Sequence, residues 1–210
     1  MHISMEDWSN ALIEQQVWSN VFSTPWKKSD IVLVVEDTEF HVHRSILTMQ
    51  SPVFGAMLDG HFKEASQDKI TLEGKTSEDM QHFLKLFYPL SMINETVTSF
   101  ANEINGRNVL KILALADEYQ TRDVMIQCLK ETKITRDNVF RILPYAIKYN
   151  KSVHDKCTEV IVERMRMKDV EKELAELDKQ LAQELLIAKC LYLESVLNSR
   201  NRKLPSVYGY

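Results

Sequence analysis

The stretch SDIVLVVEDTEFHVHR, residues 29–44, constrains the fold more than any other. Ile31 to Val35 is an apolar, mostly β-branched run, Glu36, Asp37 and Thr38 are polar, and Phe40 and Val42 then alternate with polar residues so that they share one face. Branching at Cβ stiffens χ1 and suits a pleated strand, while period-two alternation marks a strand with one buried side. The segment reads as a β-hairpin with a short turn around Glu36, Asp37 and Thr38.

Around that hairpin the apolar residues repeat at helical intervals. Ser4 with Asp7 resembles a helix start, and Trp8, Leu12, Val17, Trp18, Val21 and Phe22 then recur up to Pro25. This first helix has more than one apolar side, which asks for cover, and a second copy of the chain is one candidate. RSILTMQS and PVFGAMLDG read as two short helices parted at Ser51-Pro52, because Pro suits a first helical turn and Gly60 suits the residue beyond an end. DKITLEG is a short strand. Thr76 and Asp79 open a helix with Met80, Phe83, Leu84, Phe87 and Tyr88 on one face, stopped by Pro89. Leu90 to Arg107 is weakly patterned, an excursion with a possible short strand around Glu95 to Thr98. NVLKILALADEYQ is apolar enough for a core helix, and TRDVMIQCLKETK is an amphipathic one.

A second unit is expected from Ile134. Val139, Ile142, Leu143, Ala146 and Ile147 form a helical stripe in which Pro144 predicts a kink, since proline removes a backbone donor and crowds the preceding turn. Val153, Cys157, Val160, Ile161 and Met165 make a partner helix. From Val170 through Leu174, Leu177, Leu181, Leu185, Ala188, Leu191 and Val196 the spacing fits either a short coiled coil or a packed helical pair. NSRNRKLPSVYGY reads as a basic, mobile tail. The order of elements, a hairpin and one strand among helices, gives an α+β chain: a unit over 6–133, a helical extension over 134–200 and a tail over 201–210.

Composition narrows the function. The net charge of -4, with acids and bases interleaved, supplies no basic field for a phosphate backbone, so nucleic acid is not an expected partner. The longest apolar run is strand-sized and the N-terminus lacks the pattern of a signal peptide, so no membrane partner and an intracellular location, cytoplasm or nucleus, are expected. Three dispersed cysteines, Cys128, Cys157 and Cys190, are expected to be buried free thiols rather than a disulfide framework. The glycosylation-like Asn94-Glu95-Thr96 is short and has no meaning in a reducing compartment.

Catalysis finds little material. Five glycines leave no phosphate-binding loop or nucleophile elbow. His41 and His43 share a strand face, but no cysteine or carboxylate cluster completes a metal site, so they read as a helix-capping or core-edge pair. Cys128, beside Leu129 in an amphipathic helix, reads as a structural thiol. No enzyme, no metal and no cofactor are expected, and an interaction module is the better class.

The residues from Ser29 to Gly74 resemble the opening half of a BTB/POZ domain. The pattern is carried by Asp30, Phe40, His43, Arg44, Leu47, Ser51 and Phe54, with FLKLFYP and VLKILALADEYQTRDVMIQCL resembling later segments, especially in proteins that pair this domain with a MATH domain. Val42 stands where a small residue is usual, and Leu90 to Arg107 is longer than the usual turn and strand. The helices after 134 resemble the start of a BACK or three-box extension.

That resemblance implies a BTB/POZ fold and a homodimer, with Trp8, Leu12, Trp18, Phe22, Ile46 and Met49 at the interface. It also implies an adaptor for cullin-3 ubiquitin ligases, because Phe62, Lys63 and Glu64 match the hydrophobic residue, any residue and Glu found after the third helix in such adaptors. Phe62 would anchor in the N-terminal domain of cullin-3, with Glu64 setting register, Met57, Leu58 and His61 widening the contact and Tyr119 a further candidate. Residues 134–167 would extend it, and an unknown protein substrate would be recruited. The alternatives are that Phe62 folds back onto Ile70 and Leu72, and that the chain is an oligomerisation scaffold or a corepressor-type dimer in which Asp30 and Arg44 form a charged pair in the dimer pocket.

Overall fold

The computed structural model describes residues 21–59, 62–93 and 104–201. The expected first helix with Trp8, Leu12 and Trp18, the loop residue His61, the strand suggested at Glu95 to Thr98 and the tail beyond 201 lie outside the described residues.

The hairpin forms from β1 (Ile31–Val35) and β2 (Thr38–Val42), antiparallel, with Ile31 opposite Val42 and Val35 opposite Thr38. Thr38 therefore belongs to the strand and the turn is Glu36-Asp37 alone, with Glu36 at a left-handed φ of 53°. β3 (Lys69–Thr71) pairs in parallel with the other edge of β1, giving the order β2-β1-β3. A parallel neighbour needs a crossover, supplied by α1 (Arg44–Gln50), α2 (Pro52–Asp59) and a 3-10 turn (Lys63–Ser66). Ile31, Leu33, Val35, Phe40, Val42 and Ile70 are buried, as a pleat with one covered face requires.

Helices supply the cover. α3 (Ser77–Lys85) starts where Thr76 accepts the Asp79 amide, and its Met80, Phe83 and Leu84 are fully buried. The short α4 (Leu90–Ile93) follows Pro89, a helix that the weak pattern there did not announce. α5 (Val109–Glu118) buries Ile112 and Leu113, and α6 (Arg122–Glu131) follows after one left-handed residue, Gln120, at φ 53°. Phe22, expected on a dimer face, instead lies fully buried among Trp26, Phe40 and Tyr88. Its ring sits 5.4 Å from that of Tyr88, and burying a phenylalanine side chain is worth about 1.5–3 kcal/mol.

His43 closes the edge of this cluster. Its Nε2 lies 2.9 Å from the Lys27 carbonyl, which can only accept, so Nε2 carries the proton and Nδ1 accepts from the Tyr88 hydroxyl at 3.2 Å. Burial pushes the Tyr88 phenol up to about 12.

The chain divides into two compact units, Met1–Val124 and Met125–Tyr210, with the division inside α6, ahead of the 133/134 boundary expected from the sequence. In the second unit, α7 (Val139–Tyr149) buries Val139, Ile142, Leu143 and Ala146, while Ile147 faces out and the helix continues through an exposed Pro144. α8 (Lys151–Glu159) is capped by Asn150, which accepts the Val153 amide at 3.2 Å, and runs into a π-helical turn (Val160–Arg164). Met165 is already extended there, so it does not belong to the partner helix. The last apolar series forms two helices, α9 (Met167–Leu174) and α10 (Lys179–Asn201). Cys128 and Cys157 are fully buried, whereas Cys190 is exposed because it lies on the outer side of α10. No helix among the described residues is long and apolar enough to cross a membrane.

Candidate protein-docking face

α2 sorts its side chains by helical phase. Phe54 and Leu58, four residues apart, point inward, and the Phe54 ring stacks on Tyr119 with centroids 4.4 Å apart and planes at 15°. Val53, Ala56 and Met57 stay on the outer side, half-buried or exposed. Leu58 and Tyr119, expected on the docking surface, are therefore core residues, 4% and 3% exposed. Burial also raises the Tyr119 phenol above its ordinary pKa.

Phe62 is positioned by the turn after α2. Its extended backbone (φ -78°, ψ 153°) caps the 3-10 turn, in which the Ala65 amide donates to the Phe62 carbonyl at 3.1 Å and the Gln67 amide to Glu64 at 3.2 Å. The turn is held from outside: the Arg44 guanidinium donates to the carbonyls of Ala65, at 3.3 Å, and Gln67. Asp30 in turn accepts the Arg44 backbone amide at 2.8 Å. Asp30 and Arg44 were expected as a charged side-chain pair; the guanidinium is instead engaged on backbone carbonyls, and Asp30 caps the first turn of α1. Phe62 does not fold back onto Ile70 and Leu72, which are buried while Phe62 remains 63% exposed.

Between Phe62 and α2 lies a groove of about 520 Å³ lined by Pro52, Val53, Ala56, Met57, Phe62, Glu64 and Gln120. Pro52, Val53, Ala56 and Gln120 line it without having been expected there, and Gln120 is the one of these that lies outside α2. It follows the end of α5, where the Thr121 amide returns to the Ala116 carbonyl at 2.8 Å, a helix stop that ordinarily selects glycine. Ser51 ties that corner to α2, its hydroxyl donating to the Tyr119 carbonyl at 2.6 Å and accepting the Phe54 amide at 3.1 Å. The result is an apolar trough with one carboxylate and one amide on its rim. An aromatic or aliphatic anchor from a partner fits such a trough, and the polar groups set its orientation.

The remaining expected residues disperse. Ile46 is half-buried and Met49 is 82% exposed, one turn apart on α1. No group of three or more metal-ligating side chains occurs among the described residues. Burial pushes the Cys128 thiol up to about 12, which keeps it protonated and unreactive near neutrality.

Residues 19–136 match the family model described as BTB/POZ domain. The chain is 26% identical over 123 residues to BTB and MATH domain-containing protein 15 of Caenorhabditis elegans, covering 49% of this chain and 45% of that protein. It is 25% identical over 150 residues to Kelch-like protein 38 of Danio rerio, covering 58% and 26%. Against Kelch-like protein 15 of Homo sapiens it is 39% identical over 59 residues, covering 28% and 10%. The matches thus span less than half the length of these relatives. The BTB domain of human gigaxonin matches 63% of this chain and 97% of its own at 20% identity, with a TM-score of 0.37. With the family model matching more than half of its residues, the chain belongs to the BTB/POZ family of protein-interaction modules.

Proposed function

We propose that this chain is a homodimeric adaptor that docks the N-terminal domain of cullin-3 through Phe62 and the trough beside it, and recruits a protein target to the ubiquitin ligase. The observation that carries the reading is the exposure of Phe62 on a turn fixed by Arg44, next to a groove with apolar walls. Phe62 and Met57 form the anchor, and Glu64 and Gln120 orient it. The adaptor performs no bond chemistry; it raises the local concentration of target at the charged enzyme. The corepressor-type alternative loses support because Arg44 holds the turn rather than pairing with Asp30.

Calorimetric titration of the purified chain with the cullin-3 N-terminal domain tests the proposal. Binding that weakens by on the order of 2 kcal/mol or more in Phe62→Ala, with folding intact, supports it. A folded chain that shows no binding sinks it, and leaves the oligomerisation scaffold as the better account.

A further inference from the structure

The trough beside Phe62 has apolar walls where a partner's anchor must enter, and one wall residue is chemically changeable. Of the described residues lining it, Met57 alone carries a side chain that mild oxidants attack. Helical phase puts its thioether at the surface: Phe54 and Leu58 turn inward on α2, while Met57 stays half-buried against the trough. An oxygen added there alters the docking face and leaves the core alone.

The other sulfur atoms are sorted by burial. Met80 and Met125 are fully buried, which keeps an oxidant away from them. Cys128 and Cys157 are buried as well, and burial pushes their thiols up to about 12 and about 11, so neither offers a thiolate near neutrality. Met49, 82% exposed, and Cys190 are open to solvent, but neither lines the trough.

We propose that Met57 is an oxidation site through which peroxide turns off docking at the trough. The inference rests on the cullin-docking reading and adds its regulation. The thioether sulfur attacks one oxygen of hydrogen peroxide, and an S–O bond forms as the O–O bond breaks. The departing oxygen takes the proton of the transferred one and leaves as water, so sulfur is oxidised and the peroxide reduced. The sulfoxide oxygen is a strong hydrogen-bond acceptor that water satisfies while the trough is open. An apolar anchor seated against Met57 strips that water away, so the cost of a buried, unpaired acceptor falls on the complex alone. Reductases return methionine sulfoxide to methionine, which makes the change reversible.

Calorimetry on the full chain decides the matter, with Cys190→Ala in every arm to remove the exposed thiol. The chain is titrated with the cullin-3 N-terminal domain before and after hydrogen peroxide treatment, the peroxide being removed before mixing, and mass spectrometry locates the added oxygen. Met57 should be oxidised in the folded chain, with an unchanged circular dichroism spectrum, and binding should weaken by about tenfold or more. Methionine sulfoxide reductase should restore it. Met57→Leu, close in volume, should bind before treatment and keep its affinity afterwards. An untreated chain that does not bind overturns the docking reading and this inference with it. This inference alone falls if Met57 stays unoxidised while Met49 takes up oxygen, if affinity is unchanged once Met57 is oxidised, or if Met57→Leu loses as much.

Discussion

Phe54 and Phe62 come from one short stretch of chain and end in opposite surroundings. Phe54 is fully buried and stacked on Tyr119, whereas Phe62 keeps most of its ring in water. A phenylalanine side chain gains about 1.5–3 kcal/mol on burial, so Phe62 forgoes most of what the fold offers it. The fold's own stability therefore accounts for Phe54 and leaves Phe62 unaccounted for. The turn holding Phe62 is tied down by Arg44, so its exposure is imposed by structure rather than left over from a loose loop.

The sharpest test of the contrast removes the inner ring. Phe54→Ala leaves a cavity between α2, Phe87 and Tyr119 and should lower unfolding free energy by about 3–5 kcal/mol in a denaturant titration. A loss under about 1 kcal/mol would erase the distinction between the two rings.

Phe62→Ala should do the reverse. Its stability should stay within about 0.5 kcal/mol of wild type, and its affinity for the cullin-3 N-terminal domain should fall by at least about 2 kcal/mol, roughly thirtyfold. A variant that unfolds more easily while binding normally would make Phe62 a core residue after all.

Alkaline pH probes the inner side alone. Burial raises the Tyr88 phenol from 10.0 to about 12 and raises Tyr119 as well. The unfolded chain loses these protons first, so the native state holds more protons above pH 10 and stability must fall as pH rises. The contribution is complete below pH 10 and is lost towards pH 12. Denaturation midpoints measured across that window should decline, and Tyr119→Phe, which keeps the ring stack on Phe54, should make the decline shallower.

Arg44 links the two sides. Arg44→Met removes the donors that hold the carbonyls of Ala65 and Gln67, and should weaken cullin binding by about 1–2 kcal/mol without touching the trough itself. Calorimetry on Arg44→Met beside Phe62→Ala/Arg44→Met should then show non-additive losses, because both act through one ring. Additive losses would detach Arg44 from the positioning of Phe62.

The legibility of these features follows from how local they are. The hairpin and the helices α1, α2, α3 and α5 were readable because period two and period 3.6 are written in consecutive residues. Met57 and Leu58 are neighbouring apolar residues of similar size, and the inward phase set by Phe54 separates the outer residue from the core one. The grip of Arg44 on Ala65 and Gln67 was invisible, since backbone carbonyls carry no sequence signature. Gln120 occupies a left-handed helix stop without the glycine that would have flagged it. Cys190 went astray because α10 is apolar on more than one side, which blurs the inner and outer stripes.

The smallest expected effect belongs to Glu64, at the rim of the trough and partly exposed beside Lys63 at 4.0 Å. A rim charge steers encounter more than it holds a complex together, because solvent screens it once the partners have met. Glu64→Gln keeps the shape and removes the charge, so affinity should fall by less than about 1 kcal/mol, mostly through a slower association rate at low salt. Association rates of wild type and variant should converge when ionic strength is raised towards about 1 M, where the screening length shrinks to about 3 Å. A salt-independent loss carried by faster dissociation would mean that Glu64 is buried in the complex with a specific partner group, and would move it from the rim to the anchor beside Phe62.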